Sequence, residues 1–392
     1  MTTLNLSKLE PRIAVACCGL GHIRRGIEVW AADLASALHS RGIDVTLFKG
    51  GGVAERAYEI VVPCIRRNSR LARWATGWPI RGIWRTPFGS SYGLESYTFA
   101  RNLMPYLRNS YDMVHLQDPL VADYLRLARE KDQIKPEIIL ANGTEETPEF
   151  MGKFKYYQEL DDYAEPALPA TGGKKFVLPN FVDVNRFKPG ERAVARQAFE
   201  FPSDAYIILS VGAVQKQLKR TDYLIREYTR FSDTYGARAL LVIAGAATSD
   251  TKNLAAMAGK AAGEKIRIVT DVPHELMPKL YQAADVFAFC VVHGIYGIAL
   301  AEAAATGLPC IVHDWKRVKW VAGPAATVID MTKDGALADA FGELTSADIR
   351  EAIAGPTRCW AEEKLSKDRI VDRYIEMYRE VARSAGNLLK RR

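Results

Sequence analysis

Residues 281–314 read YQAADVFAFCVVHGIYGIALAEAAATGLPCIVHD, and this stretch decides the fold. ADVFAFCVV is an apolar run of strand length, rich in β-branched and aromatic residues. HGIYG places two glycines where the backbone must turn sharply and let another group approach. IALAEAAATG predicts an alanine-rich helix ending at Gly307, and LPCIV predicts a second short buried strand. Within the helix Glu302 is the lone acid among apolar residues, roughly one turn beyond the loop. A carboxylate there can reach a sugar hydroxyl, while the amides of the loop and first turn point at an anion. Taken alone, such a glutamate is more often a solvated or capping residue.

Working outward, the same alternation recurs. After FVLPNFVDVNRFKPG come AYIILSVGA, a helix from about Tyr223 to Tyr235, ALLVIAGAA, another helix, IRIVTDVP and the helix HELMPKLYQAA. Nearer the N-terminus, RIAVACC is a buried strand and GLGHIRRG a glycine-punctuated turn. IEVWAADLASALHSRG then predicts a helix with Gly42 at its C-cap, and IDVTLFKGG the next strand. YDMVHLQDP and PEIILANGT are two further strands ending in polar residues. Two such series imply an α/β chain of two Rossmann-like, doubly wound domains facing across a cleft. The expected boundaries are 1–178 and 179–362, with residues 363–392 forming an amphipathic helix and a basic tail.

At 392 residues the chain exceeds one ordinary core, and its 48% hydrophobic and 25% charged residues are those of a globular protein. No apolar run approaches the roughly 18–20 residues of a membrane span. MTTLNLSKLEPR lacks the apolar centre of a signal peptide, so the expected location is the cytoplasm, with the inner membrane face as a candidate surface. The six cysteines show no metal-ligand spacing, and four lie in apolar strand-like runs, as buried thiols do. A net charge of +7 suggests an anionic substrate, a membrane surface or nucleic acid. Residues 64–111 hold eight arginines and one acid, Glu95. There Arg66, Arg70 and Arg73 fall on one helical face and Leu71, Trp74 and Trp78 approximate another, which suits an anionic membrane or lipid-linked partner. The plainer alternative packs the tryptophans inward and leaves the arginines solvated. Nucleic acid is not expected, because the basic residues are confined to one insert and no binding module is recognisable.

Taken in order, these motifs resemble the retaining GT-B glycosyltransferases of family 4, or group 1. RRGIEVWAADLASALHSRGIDVTLF looks like that family's first glycine loop, helix and second strand. YDMVHLQDP resembles its fourth-strand motif, LPNFVDVNRFKP its entry to the second domain, and SVGAVQKQLKRTDYLI the strand leading to a lysine loop. VPHELMPKLYQAADVFAF with GIYGIALAEAAATGLPCIV resembles the donor-site signature, and DRIVDRYIEMYREV the helix that crosses back to the first domain. The resemblance implies transfer of a hexose from a nucleoside diphosphate sugar to a glycan, lipid-linked or small-molecule acceptor, with retention. UDP or GDP is the expected carrier. It also implies no cofactor and no metal, cationic side chains and helix amides stabilising the departing diphosphate instead. Two rivals remain: an impaired sugar-nucleotide-binding or scaffold protein of the same fold, and a nicotinamide-dependent dehydrogenase. For the latter, GLGHIRRG fails the dinucleotide glycine spacing and no acid ends the second strand.

By the same resemblance Lys219 is the diphosphate-binding lysine, just beyond the strand-end Gly212, with Lys216 and Arg220 as rivals or second cation, since an expected arginine falls on Ala213. Glu302 matches the ribose-binding glutamate, while the sugar-reading glutamate falls on Gly294. His293 could contact the sugar in its place or be an ordinary loop histidine. Ile295, Tyr296 and Gly297 match the segment whose backbone amides face sugar and phosphate. On the acceptor side stand Gly26, Glu28 (or a helix cap), Asp118 and Asn142. The reaction-centre candidates in the fourth-strand motif are His115, as either a packed or a reactive histidine, and Gln117 nearest the cleft.

Overall fold

The computed structural model describes residues 10–23, 25–76, 89–161, 173–236, 238–294 and 296–386. Ile295, Trp78 and the tryptophan and arginines of 81–85 therefore lie outside the described residues, as does the basic tail. The chain divides into two units, Met1–Pro179 with Val371–Arg392 and Asn180–Ile370.

Among the described residues of the first unit, seven parallel strands form one sheet: β1 (Ile13–Cys17), β2 (Val45–Lys49), β3 (Glu59–Val61), β4 (Met113–Leu116), β5 (Glu137–Ala141), β6 (Tyr156–Glu159) and β7 (Lys174–Val177), in the order β3-β2-β1-β4-β5-β6-β7. The second unit holds six: β8 (Tyr206–Val211), β9 (Ala239–Gly245), β10 (Ile266–Thr270), β11 (Val286–Phe289), β12 (Cys310–His313) and β13 (Thr327–Ile329), in the order β10-β9-β8-β11-β12-β13. All pairings are parallel. The central strands β1, β4, β5 and β11 are buried along their whole length, which is why they read as unbroken apolar runs rather than alternating ones. Phe48, Phe99, Leu103 and Leu125 centre one core; Tyr228, Phe231 and Phe341 centre the other.

Each order reverses direction once, between β1 and β4 and between β8 and β11. These are the switch points at whose carboxyl ends a parallel sheet leaves an open crevice for ligand. The quoted stretch is β11, the helix Ile298–Ala305 and β12, as its pattern predicts. Its glycines 294 and 297 both have φ of 88°, a backbone that other residues adopt only under strain. Position 294, where the resembling family has a glutamate, is thus a left-handed turn position in this chain.

The helix Lys367–Ser384 passes from the second unit into the first. Within the first, Tyr374 accepts from the Trp30 indole at 3.2 Å and from Gln158 at 2.8 Å, and Tyr378 pairs with His115 at 2.7 Å. Trp30, Tyr374 and Tyr378 surround the His115 ring. Burial pushes that imidazole down to about 3, so it stays neutral. The expectation of a reactive His115 is corrected: the ring is sealed inside the unit beneath this helix.

Candidate functional site

In the second unit the loop after β8 carries the predicted cation. Lys219 runs across Gly212, where an added Cβ would lie 2.7 Å from the lysine Cε. Its Nζ stands 5.1 Å from the ring centre of Phe289, the last residue of β11. Among the described residues it has no hydrogen bond or ion pair, and burial pushes the ammonium down to about 8. The next residue, Arg220, has a left-handed backbone (φ 50°, ψ 40°), a strained conformation of the kind that gathers at functional loops. Its guanidinium donates to the Met331 carbonyl at 2.9 Å and lies over Tyr223 at 4.1 Å. Arg220 is thereby tied to the unit's own framework. Lys216 holds its backbone to Asp250 and leaves an exposed side chain.

Across the switch point, Gly297 precedes the helix Ile298–Ala305 and lies against the same phenylalanine; a Cβ there would meet Phe289 Cζ at 2.8 Å. Phe289 thus forms a shared floor for Lys219 and for the helix entrance, whose first amides have no partner within the helix. Four residues beyond its start, Glu302 accepts a 2.6 Å hydrogen bond from the fully buried Tyr281 hydroxyl. Tyr296 turns its side chain inward to donate to the Asn180 carbonyl at 2.9 Å, so only its backbone is available to a ligand. His293 is exposed in the loop.

At the switch point of the first unit, Gly26 opens the helix Gly26–Ser40 and Glu28 lies buried in its first turn. Arg25 donates to Glu28 Oε1 at 3.0 Å, and Oε2 is buried without a hydrogen-bond partner among the described residues. Gly19 leaves room for this carboxylate, which a Cβ would strike. Asp118 accepts from the Cys18 amide at 3.0 Å; burial raises its carboxyl above the usual range, against the pull of that bond. Gln117 is buried beside Gly143, and Asn142 bonds Glu159 at 3.1 Å and the Glu146 amide at 2.7 Å, making it an organiser of its loop.

Sequence reasoning passed over the centre of this end. Glu95, fully buried, accepts from His22 Nε2 at 2.6 Å, from the Arg67 amide at 2.9 Å and from the Arg67 guanidinium, which also lies over Tyr92. Burial pushes its carboxyl up, but these bonds and the Arg67 charge outweigh that and hold it below the usual carboxylate range. The available signal was its isolation, one acid among eight arginines. Tyr281 was likewise missed, although a tyrosine on a buried helix must find its hydroxyl a partner.

Around the insert, Ser69 caps a short helix, Arg70–Ala75, which leaves Arg66 before it. Arg66, Arg70 and Arg73 are exposed, and so are Leu71 and Trp74, the latter at 74%. The inward-packed alternative does not hold for Trp74. Among the described residues no helix is long and apolar enough to cross a membrane, and no three His, Cys, Asp or Glu side chains are grouped to hold a metal ion.

Residues 191–355 match the family model described as "Glycosyl transferases group 1". A D-inositol 3-phosphate glycosyltransferase of Actinosynnema mirum is 25% identical over 383 residues, covering 84% of this chain and 86% of the relative. Among solved structures, sucrose-phosphate synthase from Thermosynechococcus elongatus superposes with a TM-score of 0.76 at 16% identity, covering 95% of this chain and 100% of that one. Anabaena HepE in complex with UDP and glucose does so with a TM-score of 0.70 at 12% identity, covering 94% and 100%.

Proposed function

We propose that the chain is a group 1 glycosyltransferase that moves a hexose from a nucleoside diphosphate sugar to a glycan, lipid-linked or small-molecule acceptor. UDP or GDP is the proposed carrier. Retention at the anomeric carbon and independence of a metal belong to the same proposal. One juxtaposition carries it: the cation of Lys219, unpaired among the described residues, and the entrance of the helix bearing Glu302 meet over Phe289 at the β8/β11 switch point. A diphosphate placed there would meet Lys219 and the first helix amides, and Glu302 would accept from the ribose hydroxyls. As the glycosidic bond breaks, negative charge grows on the diphosphate, and donors already oriented toward it lower the barrier. The neighbour solved with UDP and glucose supports a uridine-type donor. The relative named for D-inositol 3-phosphate supports adding a small polyol phosphate to the acceptors tried.

The test is a panel of UDP-, GDP-, ADP- and dTDP-sugars with glycan, lipid-linked and polyol phosphate acceptors, assayed with and without EDTA. Turnover with one donor, unchanged by EDTA and lost in Lys219→Ala, is the expected result. No transfer or hydrolysis from any donor would sink the reading.

The exposed Trp74 beside exposed Arg66, Arg70 and Arg73 supports a further element of the proposal, contact with an anionic membrane surface on the cytoplasmic side. Co-sedimentation with anionic but not neutral vesicles is expected.

A further inference from the structure

Glu302 can serve a ligand only if its carboxylate is held in one orientation, and a helical glutamate otherwise samples several rotamers. The Tyr281 hydroxyl, 2.6 Å from Glu302 Oε2, comes from a different helix, Met277–Ala283, which precedes β11 in the chain. The tyrosine ring has no freedom of its own. Phe187 meets it edge-on with centroids 5.7 Å apart, and Phe287 packs at 5.8 Å. Phe287 in turn stacks on Phe289, the residue beneath Lys219 and Gly297. One aromatic row, Phe187–Tyr281–Phe287–Phe289, thus underlies both the carboxylate and the cation.

We propose that Tyr281 is a positioning residue of the donor site: it fixes the Glu302 carboxylate through one hydrogen bond and so sets how strongly the enzyme holds the ribose of its nucleotide. This rests on the reading of Glu302 as the ribose acceptor. Burial and the neighbouring Glu302 charge raise the Tyr281 hydroxyl well above its ordinary range, so it remains a donor at every working pH. Without it the carboxylate loses a charge-assisted bond that helps to orient it.

The test is calorimetry with UDP or GDP, whichever the wild-type chain binds more tightly, on the wild type, Tyr281→Phe, Glu302→Gln and the double variant. Tyr281→Phe keeps the ring between Phe187 and Phe287, and its thermal midpoint is recorded alongside. Its expected effect is about tenfold weaker binding, the scale of a hydrogen bond to a charged group. The loss should shrink below about twofold in the Glu302→Gln background, and likewise for the 2′,3′-dideoxy nucleotide. Binding by Tyr281→Phe within about twofold of wild type, while Glu302→Gln is impaired, overturns the inference and leaves the donor-site reading standing. An undiminished Tyr281→Phe effect in the Glu302→Gln background also overturns it, because the tyrosine then acts through packing. Unimpaired binding by Glu302→Gln removes both.

Discussion

At the end of β8, Lys219 stands over Phe289 without an ionic partner among the described residues, whereas at the end of β1 Glu95 is enclosed by Arg67, His22 and Cys18. Both places are switch points of parallel sheets, with similar glycine turns above them. The difference lies in where the charge is satisfied. Glu95 finds its donors within the unit, so its charge holds Arg67 and His22 in place beside the strand end. Lys219 is desolvated without compensation, an unfavourable arrangement for the free protein that an arriving diphosphate would relieve. A closed network supports structure. A half-buried cation with no partner among the described residues is what a binding site looks like before its ligand arrives.

That contrast can be broken from either end. The largest effect expected is on stability at the first unit. Glu95→Ala leaves the Arg67 guanidinium part-buried and unpaired, which should destabilise by about 3–5 kcal/mol in denaturant unfolding. A loss below about 1 kcal/mol would mean that the network is ornamental. Lys219→Ala should do the reverse. Turnover on the preferred donor should fall on the order of 100-fold, while the thermal midpoint stays level or rises. A variant that loses stability as well as activity would deny the contrast.

A smaller effect is the pH response of Lys219. Its folded value of about 8 lies below its ordinary 10.5, so the unfolded chain binds the extra proton between them. Stability contributed by this group therefore rises with pH across that window, and the penalty is complete below about pH 8. Nucleotide affinity should run the other way, weakening as pH rises past 8 and the ammonium is lost. Calorimetry from pH 7 to 10 measures this, and Lys219→Arg should flatten the profile. The smallest effect concerns the surface. Trp74→Ala should change stability by less than about 0.5 kcal/mol, yet lower partitioning onto anionic vesicles several-fold.

Much of this was legible before any coordinates. The periodicities of 281–314 and of 12–49 are local properties, and they are enough to place β11, β12, β1, β2 and the helices between them. Lys219 and Glu302 were named from the family resemblance, and the structure sets one against Phe289 at the end of β11 and the other on the helix that follows. Gly294 was visible as a departure from the resembling family, and its left-handed backbone supplies a local reason for the residue. His115 shows where such reasoning stops. Its place in an apolar strand says that it points into a layer, but not that Tyr378, 263 residues later, covers it and keeps it neutral.

By itself, then, the sequence determined two alternating series of parallel strands and helices, since these follow from short-range pattern and the stereochemistry of strands and glycine turns, while the order of the strands and hence the switch points came from the fold. Only the tertiary structure decided which polar atoms are matched. It joined Tyr281 to Glu302 across 21 residues and His22 to Glu95 across 73, and among the described residues it gave Lys219 no ionic partner. Hydrogen bonds and ion pairs of this kind depend on side-chain atoms meeting within about 3 Å, a condition that no spacing along a chain can guarantee.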